Sequence, residues 1–295
     1  LGNWLNDKGN IELQLEELEK KVNMFATEVR KLGKEELLGA LSTEAMIMIY
    51  EKTVVPTITY NLECWTHIDE KNAERIEKIQ GGILRKALNL PATTPYWGIL
   101  KELGIWPLEK KILYQRMMLY ESMIKSEAGR LGRKVIEAQK TTCLRNNWYK
   151  QTEREARKSR IDLEQAETRS TEAWKKMVKD KIQEKVEQQW DEKQNGKRKT
   201  RHQVGQKFER KNYLRKMGIK EASRTIIRRL EMLDIGNNFG KEKRCICGEK
   251  ETTEHLIICE NQKEKIQKEW IKETEDLNKI RLVNKFFERI VEKNE

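Results

Sequence analysis

Beyond Pro107 the chain contains no proline as far as Glu295. Proline lacks the amide hydrogen a helix needs and its ring collides with the preceding turn, so nothing of that kind interrupts a helix over more than half of the sequence. Hydrophobic residues make up 37% of the chain and charged residues also 37%. That balance suits helices with one buried stripe and a solvated face, not a broad enzyme core. The expected fold is mainly α: a helical bundle, an extended helical connector, and a small C-terminal segment. Strand-like alternation is confined to the short run Thr57 to Tyr60. No apolar run approaches the length of about 20 residues that spans a bilayer, so no membrane partner is expected.

Periodicity places the elements. Ile11, Leu15, Leu18, Val22, Phe25, Val29 and Leu32 alternate four and three apart, forming one helical seam that ends at Gly33. Three heptads are short for a coiled coil, so self-association through Ile11–Leu32 is less favoured than packing within the chain. The apolar segment "STEAMIMIYEKTVVPTITYNLECW" predicts a buried helix kinked or stopped at Pro56. Asp69 is an expected N-cap for a helix carrying Ile76, Ile79, Ile83 and Leu84. Thr94 and Pro95 look like an N-cap and first helical position, Gly104 a helix stop, and Pro107 the start of the next helix. Trp174, Val178, Ile182, Val186 and Trp190 make a thin stripe that predicts a helical spacer packed along one side. Two short helices are expected around Gly218. A last element from Gln262 to Glu292 should dock by one face.

Three of five cysteines and one of three histidines fall in "RCICGEKETTEHLIIC". Cys245, Cys247, His255 and Cys259 offer three thiolates and an imidazole, a donor set suited to a closed, structural Zn2+ site with no open position for substrate. His255 and Cys259 are i,i+4 on a helix that Thr252 or Thr253 can cap, so they point the same way. The single residue between Cys245 and Cys247 makes a tighter chelate than usual, with Gly248 supplying the turn. The alternative is a small core of buried thiols, but "GEKETTE" offers little apolar surface for one. Cys64 and Cys143 read as ordinary core residues, and His67 and His202 as isolated. Clustered cysteines favour a reducing compartment, nuclear or cytoplasmic, over a secreted disulfide framework.

The formal net charge of +12 is localised. From Gly196 to Arg229, Lys and Arg greatly outnumber Glu, and a concentrated positive field attracts a polyanion. Lys197, Arg198, Lys199, Arg201, Lys207, Arg210, Lys211, Arg215, Lys216, Arg224, Arg228 and Arg229 are the candidate phosphate contacts. Tyr213 and Phe208 among them are candidate stacking partners for bases. A solvated helix face and a nuclear-import signal in "GKRKTR" are the competing readings. No adjacent aspartates on a strand-turn signal, no nucleophile elbow and no phosphate-binding glycine loop occur, so no catalytic residue is assigned.

Taken in order, several segments resemble the region after the polymerase palm in reverse transcriptases of non-LTR (LINE-type) retrotransposons. "LGNWLND" is similar to the end of the primer grip, and "TVVPTITYNLECW" to a P-x-L-x-Y-G-x-E-x-W run through Pro56, Tyr60, Glu63 and Trp65. "LKELGIWPL" resembles the LGxxPL helix pair through Leu103, Gly104, Pro107 and Leu108. "CICGEKETTEHLIIC" resembles the C-terminal CCHC knuckle, with Glu251, Thr252 and His255 in register. Asn61 and Cys64 depart from the usual glycine and threonine, and His255 and Cys259 lie one residue closer than in many relatives. The resemblance implies that the chain starts inside a longer protein, with the palm, its aspartates and its Mg2+ before Leu1. It also implies binding of RNA and DNA as template-primer or target. On that reading 1–128 is a primer-grip remnant and thumb-like bundle, 129–195 a charged helical connector, 196–240 basic nucleic-acid-binding helices, and 241–295 the knuckle and C-terminal helix. A helical interaction scaffold with a structural zinc site is the alternative.

Overall fold

The computed structural model describes residues 42–66, 68–142, 147–194, 197–233, 235, 244–245, 247–262 and 266–292, with 13, 15–17, 19–20, 24 and 27 ahead of them. It is mainly helical, with no strand among the described residues. In order the helices are α1 (Thr43–Ile49), α2 (Val55–Thr59), α3 (Glu70–Ala87), α4 (Tyr96–Leu103), α5 (Leu108–Ile124), α6 (Leu131–Thr141) and α7 (Trp148–Lys158). There follow α8 (Gln165–Thr168), α9 (Thr171–Gln194), α10 (Tyr213–Lys216), α11 (Ile219–Arg229), α12 (Thr253–Ile258) and α13 (Leu277–Glu292).

The expected kink at Pro56 is a π-helical turn, Tyr50–Val54, leading into α2 with the proline in its first turn. Pro56 has no amide to continue the ladder, and the helical run passes it through the wider π turn. Helix continues through Thr59, so the strand-like run at Thr57–Tyr60 is corrected; the threonine hydroxyls bond back to Thr53 and Val55 carbonyls four residues earlier. Asp69 caps α3 as expected, its Oδ1 accepting from the Asn72 amide at 2.7 Å. Thr94 does not cap α4: its hydroxyl donates to Pro91 O at 2.7 Å, and Pro95 is the N-cap. Gly104 ends α4 at φ 63, where an added Cβ would run into the Arg210 backbone. Of the Ile11–Leu32 heptad only Leu15 is described, and it is buried; the rest lies outside the described residues.

The chain divides into two compact units that interleave in sequence. The first comprises Leu1–Phe25, Tyr50–Gln80 and Trp106–Asp191. Within it α5 is central, packed by α2, α6, α7 and α8 and by the 3-10 turn Leu62–Cys64. The stripe on α9 is wholly buried at Trp174, Val178, Ile182 and Val186, and nearly so at Trp190. The indole of Trp174 donates to Met117 O at 3.4 Å, and the charged residues on the other faces of α9 are exposed or half-exposed, so the helix packs along one side as expected. Cys64 is exposed, which corrects its reading as a core residue; Cys143 and His67 lie outside the described residues.

The second unit comprises Ala26–Ile49, Gly81–Ile105 and Glu192–Glu295 and carries nearly all of the formal net charge of +12. Thr43 ties α1 to the end of α10, its amide and hydroxyl both donating to Met217 O. The 3-10 turn Arg198–Gln203 packs on α4 and α11, and α11 packs on α13.

Candidate metal centre and basic surface

Arg244 and Lys250 form an isolated antiparallel bridge, and between them Gly248, at φ 89, reverses the chain. The Cys245 amide donates to Glu249 O at 2.9 Å and the Gly248 amide to Cys245 O at 2.8 Å. This tight loop folds Cys247 back, so the one-residue spacing is no obstacle to a shared ligand. Opposite it, Thr252 caps α12 by accepting from the His255 amide at 3.0 Å, and Cys259 follows the last turn.

The four ligand atoms lie within 4.8 Å of one another and could hold a metal ion. Cys245 Sγ and Cys259 Sγ are 3.6 Å apart, and Cys247 Sγ and His255 Nε2 are 3.0 Å apart. Bond lengths of about 2.3 Å to sulfur and about 2.0 Å to nitrogen put tetrahedral zinc ligands about 3.8 Å (S···S) and about 3.6 Å (S···N) apart. The thiol pair already has that spacing, and the S···N pair needs only to open slightly. Burial pushes the Cys245 thiol up, but the Cys247 amide, His255 and the neighbouring thiols reverse this and bring it down to about 7. The Cys259 thiol is pushed up by burial and by its sulfur neighbours. Metal ligation takes the thiolate form, so a bound cation would draw off the thiol protons.

The segment is not a lone knuckle. Cys245, Cys259, Leu256 and Ile257 join Ile235, Ile271, Val283, Phe286, Phe287 and Ile290 in one apolar cluster, so α13 supplies a core that the sequence reading denied it.

The candidate phosphate contacts divide. Tyr213 and Phe208 are buried, which removes both expected stacking rings from the surface, and Lys211, Arg228 and Arg229 are buried with them. Their partners explain why. Glu102, fully buried on α4, accepts from Arg229 Nε at 3.0 and 3.1 Å, Gln203 Nε2 at 2.7 Å and Tyr213 OH at 2.8 Å. Burial raises the Glu102 carboxyl, but Arg229 and the Gln203 and Tyr213 hydrogen bonds outweigh it and leave it below its ordinary value. Arg228 binds Asn284 Oδ1 and Ile271 O, both at 2.9 Å, and burial next to Arg229 lowers it to about 9.

Arg201 is half-buried and holds both Glu231 and Glu254, the latter at 3.2 Å. His202 is buried with Nε2 2.9 Å from Glu231 Oε1, which corrects its reading as isolated. Glu231 sits at φ 49 just past α11, where glycine is usual, and its carboxylate contacts hold it there. Burial raises Glu231, and His202 and Arg201 bring it below its ordinary value. Arg210 and Arg215 pair with Glu44 at 3.3 and 3.9 Å, and Arg224 with Glu288 at 2.9 Å. Lys197, Lys199, Lys207 and Lys216, together with Lys220, reach solvent without an ion pair among the described residues. The Arg198 side chain lies outside the description.

Sequence reading gives Glu102 no role, since "LKELG" is read only for its helix stop at Gly104. The usable signal was that α4, "YWGILKEL", is apolar on nearly every side, so its charges must go inward. No family model, curated protein or solved structure matches this chain. No helix among the described residues is long and apolar enough to cross a membrane.

Proposed function

We propose that this chain is a nucleic-acid-binding module with a structural zinc site, of the kind that follows the palm in non-LTR retrotransposon reverse transcriptases. The observation that carries the reading is the meeting, in one unit, of a closed Cys3His donor set with a basic surface. Four cysteine and histidine ligands fill a tetrahedral shell, so the metal would brace Arg244–Cys259 and leave no position for substrate. Arg201 then links that segment to the lysine-bearing turn through Glu254. Arg215 and Arg224 stay with Glu44 and Glu288, and of the sequence candidates Lys197, Lys199, Lys207 and Lys216 are the groups that meet phosphate. Lys220 joins them. Any polymerase chemistry and its Mg2+ belong to a palm outside this sequence.

Titrating the full chain with single-stranded RNA and with duplex DNA across a salt series tests this. Five phosphates neutralised by the five lysines give a log K against log[salt] slope of about −4.5 for duplex and about −3.5 for single strands. Weak binding that ignores salt would overturn the reading. Concentration-dependent sedimentation in its place would favour the interaction scaffold.

A further inference from the structure

The candidate metal centre divides into two unlike pairs. Cys245 and Cys259 are buried, and both belong to the apolar cluster with Leu256, Phe286 and Phe287. Cys247 is exposed and lies outside that cluster, its Sγ 3.0 Å from His255 Nε2. One pair sets thiol against thiol, the other thiol against imidazole.

Local backbone bonds place the thiol pair. The Cys245 amide donates to Glu249 O at 2.9 Å and the Cys259 amide to His255 O at 2.8 Å. Both thiols are free, with their sulfurs 3.6 Å apart. A disulfide bond of about 2.05 Å requires them to close by about 1.5 Å, a distance that side-chain rotation covers. Such a link joins residues 14 apart in sequence. It removes more chain entropy from the unfolded state than a Cys245–Cys247 link across one residue, and it leaves both sulfurs in apolar surroundings.

From the thiol spacing and the split in burial together we infer that this centre is a redox-controlled staple: a small-molecule disulfide such as oxidised glutathione converts Cys245 and Cys259 to a disulfide, releases the metal, and leaves Cys247 a free thiol. The exposed Cys247 thiolate attacks the reagent and expels one glutathione thiolate. Cys259 then attacks the Cys247 sulfur of that mixed disulfide and expels the second. Cys245 next attacks the Cys259 sulfur and displaces Cys247 as thiolate. Two protein thiolates have lost two electrons in all, and the reagent has gained them as two glutathione thiolates. Only Cys247 and His255 then remain for the metal, which leaves as Zn2+. The release of metal rests on the zinc reading above, whereas the disulfide does not.

The full chain loaded with Zn2+ is titrated with oxidised glutathione and followed by a zinc indicator, by peptide mapping and by hydrogen exchange. One disulfide per chain should map to Cys245–Cys259, with one zinc released per disulfide and Cys247 alkylated by iodoacetamide. Dithiothreitol with added Zn2+ should reverse both changes. Protection across Arg244–Cys259 should stay within about twofold of the zinc-bound level after oxidation, because the disulfide holds the loop to the end of α12 as the metal did. Chelation without oxidation should lose that protection. A bridge that ends at Cys247, zinc that stays bound at full disulfide yield, or protection lost on oxidation as on chelation would each overturn the inference. A chain that takes up no zinc would sink the metal reading alone, since Cys247→Ser should still form the Cys245–Cys259 disulfide; its failure to do so would overturn the staple.

Discussion

Trp174 and Trp190 lead the large side chains fully buried in the first unit, whereas Arg228 and Arg229 are the largest fully buried in the second. Apart from Arg116, Lys110 and Glu121, the first unit keeps its charges toward solvent, in i,i+3 and i,i+4 pairs such as Arg133–Glu137 and Lys181–Glu184. Pairs of that kind contribute about 0.3–0.5 kcal/mol each. The second unit buries Glu102, Arg229, Arg228, Glu231 and His202, and brings four metal-ligand atoms together. Apolar packing tolerates changes of pH and salt. A buried ionic network, though little screened by salt, responds to pH, and it is held only while every partner is present. The contrast says where this molecule is sensitive: metal, acid and loss of a single charge should act on the second unit and leave the first in place.

Metal removal should give the largest effect. Structural zinc contributes about 10–16 kcal/mol in isolated finger peptides at neutral pH, and a shared apolar core leaves part of that fold standing here. One zinc per chain is expected from elemental analysis, lost in Cys247→Ser or Cys259→Ser. Hydrogen exchange should then show lost protection across Arg244–Cys259 and α13, with α5 and α9 unchanged. Protection lost equally in α9 would break the contrast.

Next comes Glu102→Ala, expected to cost about 3–5 kcal/mol in denaturant unfolding, because Arg229 would stay buried with no carboxylate. Trp174→Ala in the first unit should cost a similar amount, about 3–5 kcal/mol, through a cavity. The two differ in their pH dependence. Glu102 and Glu231 both have folded values below the ordinary 4.5. Their contribution is therefore complete above about pH 4.5 and is lost as pH falls through the folded values. Acidification below 4.5 should unfold the second unit first, and Glu102→Gln should flatten that dependence where Trp174→Ala leaves it intact. Parallel acid profiles for wild type and Glu102→Gln would show that the network carries no linkage.

These sites also mark what the sequence could and could not reveal. Helix boundaries set by local chemistry were legible: the Asp69 cap, the Gly104 stop, the Pro107 start and the i,i+4 pair His255 and Cys259 all depend on residues within one turn. The cluster that could hold a metal was legible for the same reason, since Cys245, Cys247, His255 and Cys259 are near neighbours in the chain. The buried network was not, because Gln203, Tyr213 and Arg229 meet Glu102 from more than a hundred positions away. A lysine- and arginine-rich run looks the same whether its charges face water or a buried glutamate. Composition therefore overstated the basic surface: Lys211, Arg228 and Arg229 were counted as outward charges and are internal.

The smallest effect separates outward from inward charge within the second unit. Lys207→Ala or Lys216→Ala removes one exposed lysine, so stability should stay within about 0.5 kcal/mol of wild type. On the nucleic-acid reading, each should reduce the magnitude of the duplex salt slope by about 1 and weaken binding alike across sequences. Lys175→Ala, an exposed lysine of the first unit, should leave the slope where it was. Arg229→Ala should do the reverse of the surface variants: it costs stability, because Glu102 is left buried beside Tyr213 and Gln203, while the slope of the protein that remains folded is unchanged. If Arg229→Ala lowered the slope as Lys216→Ala does, the arginine would have to leave Glu102 to reach phosphate, and the network would be a reservoir of binding charge instead of a core.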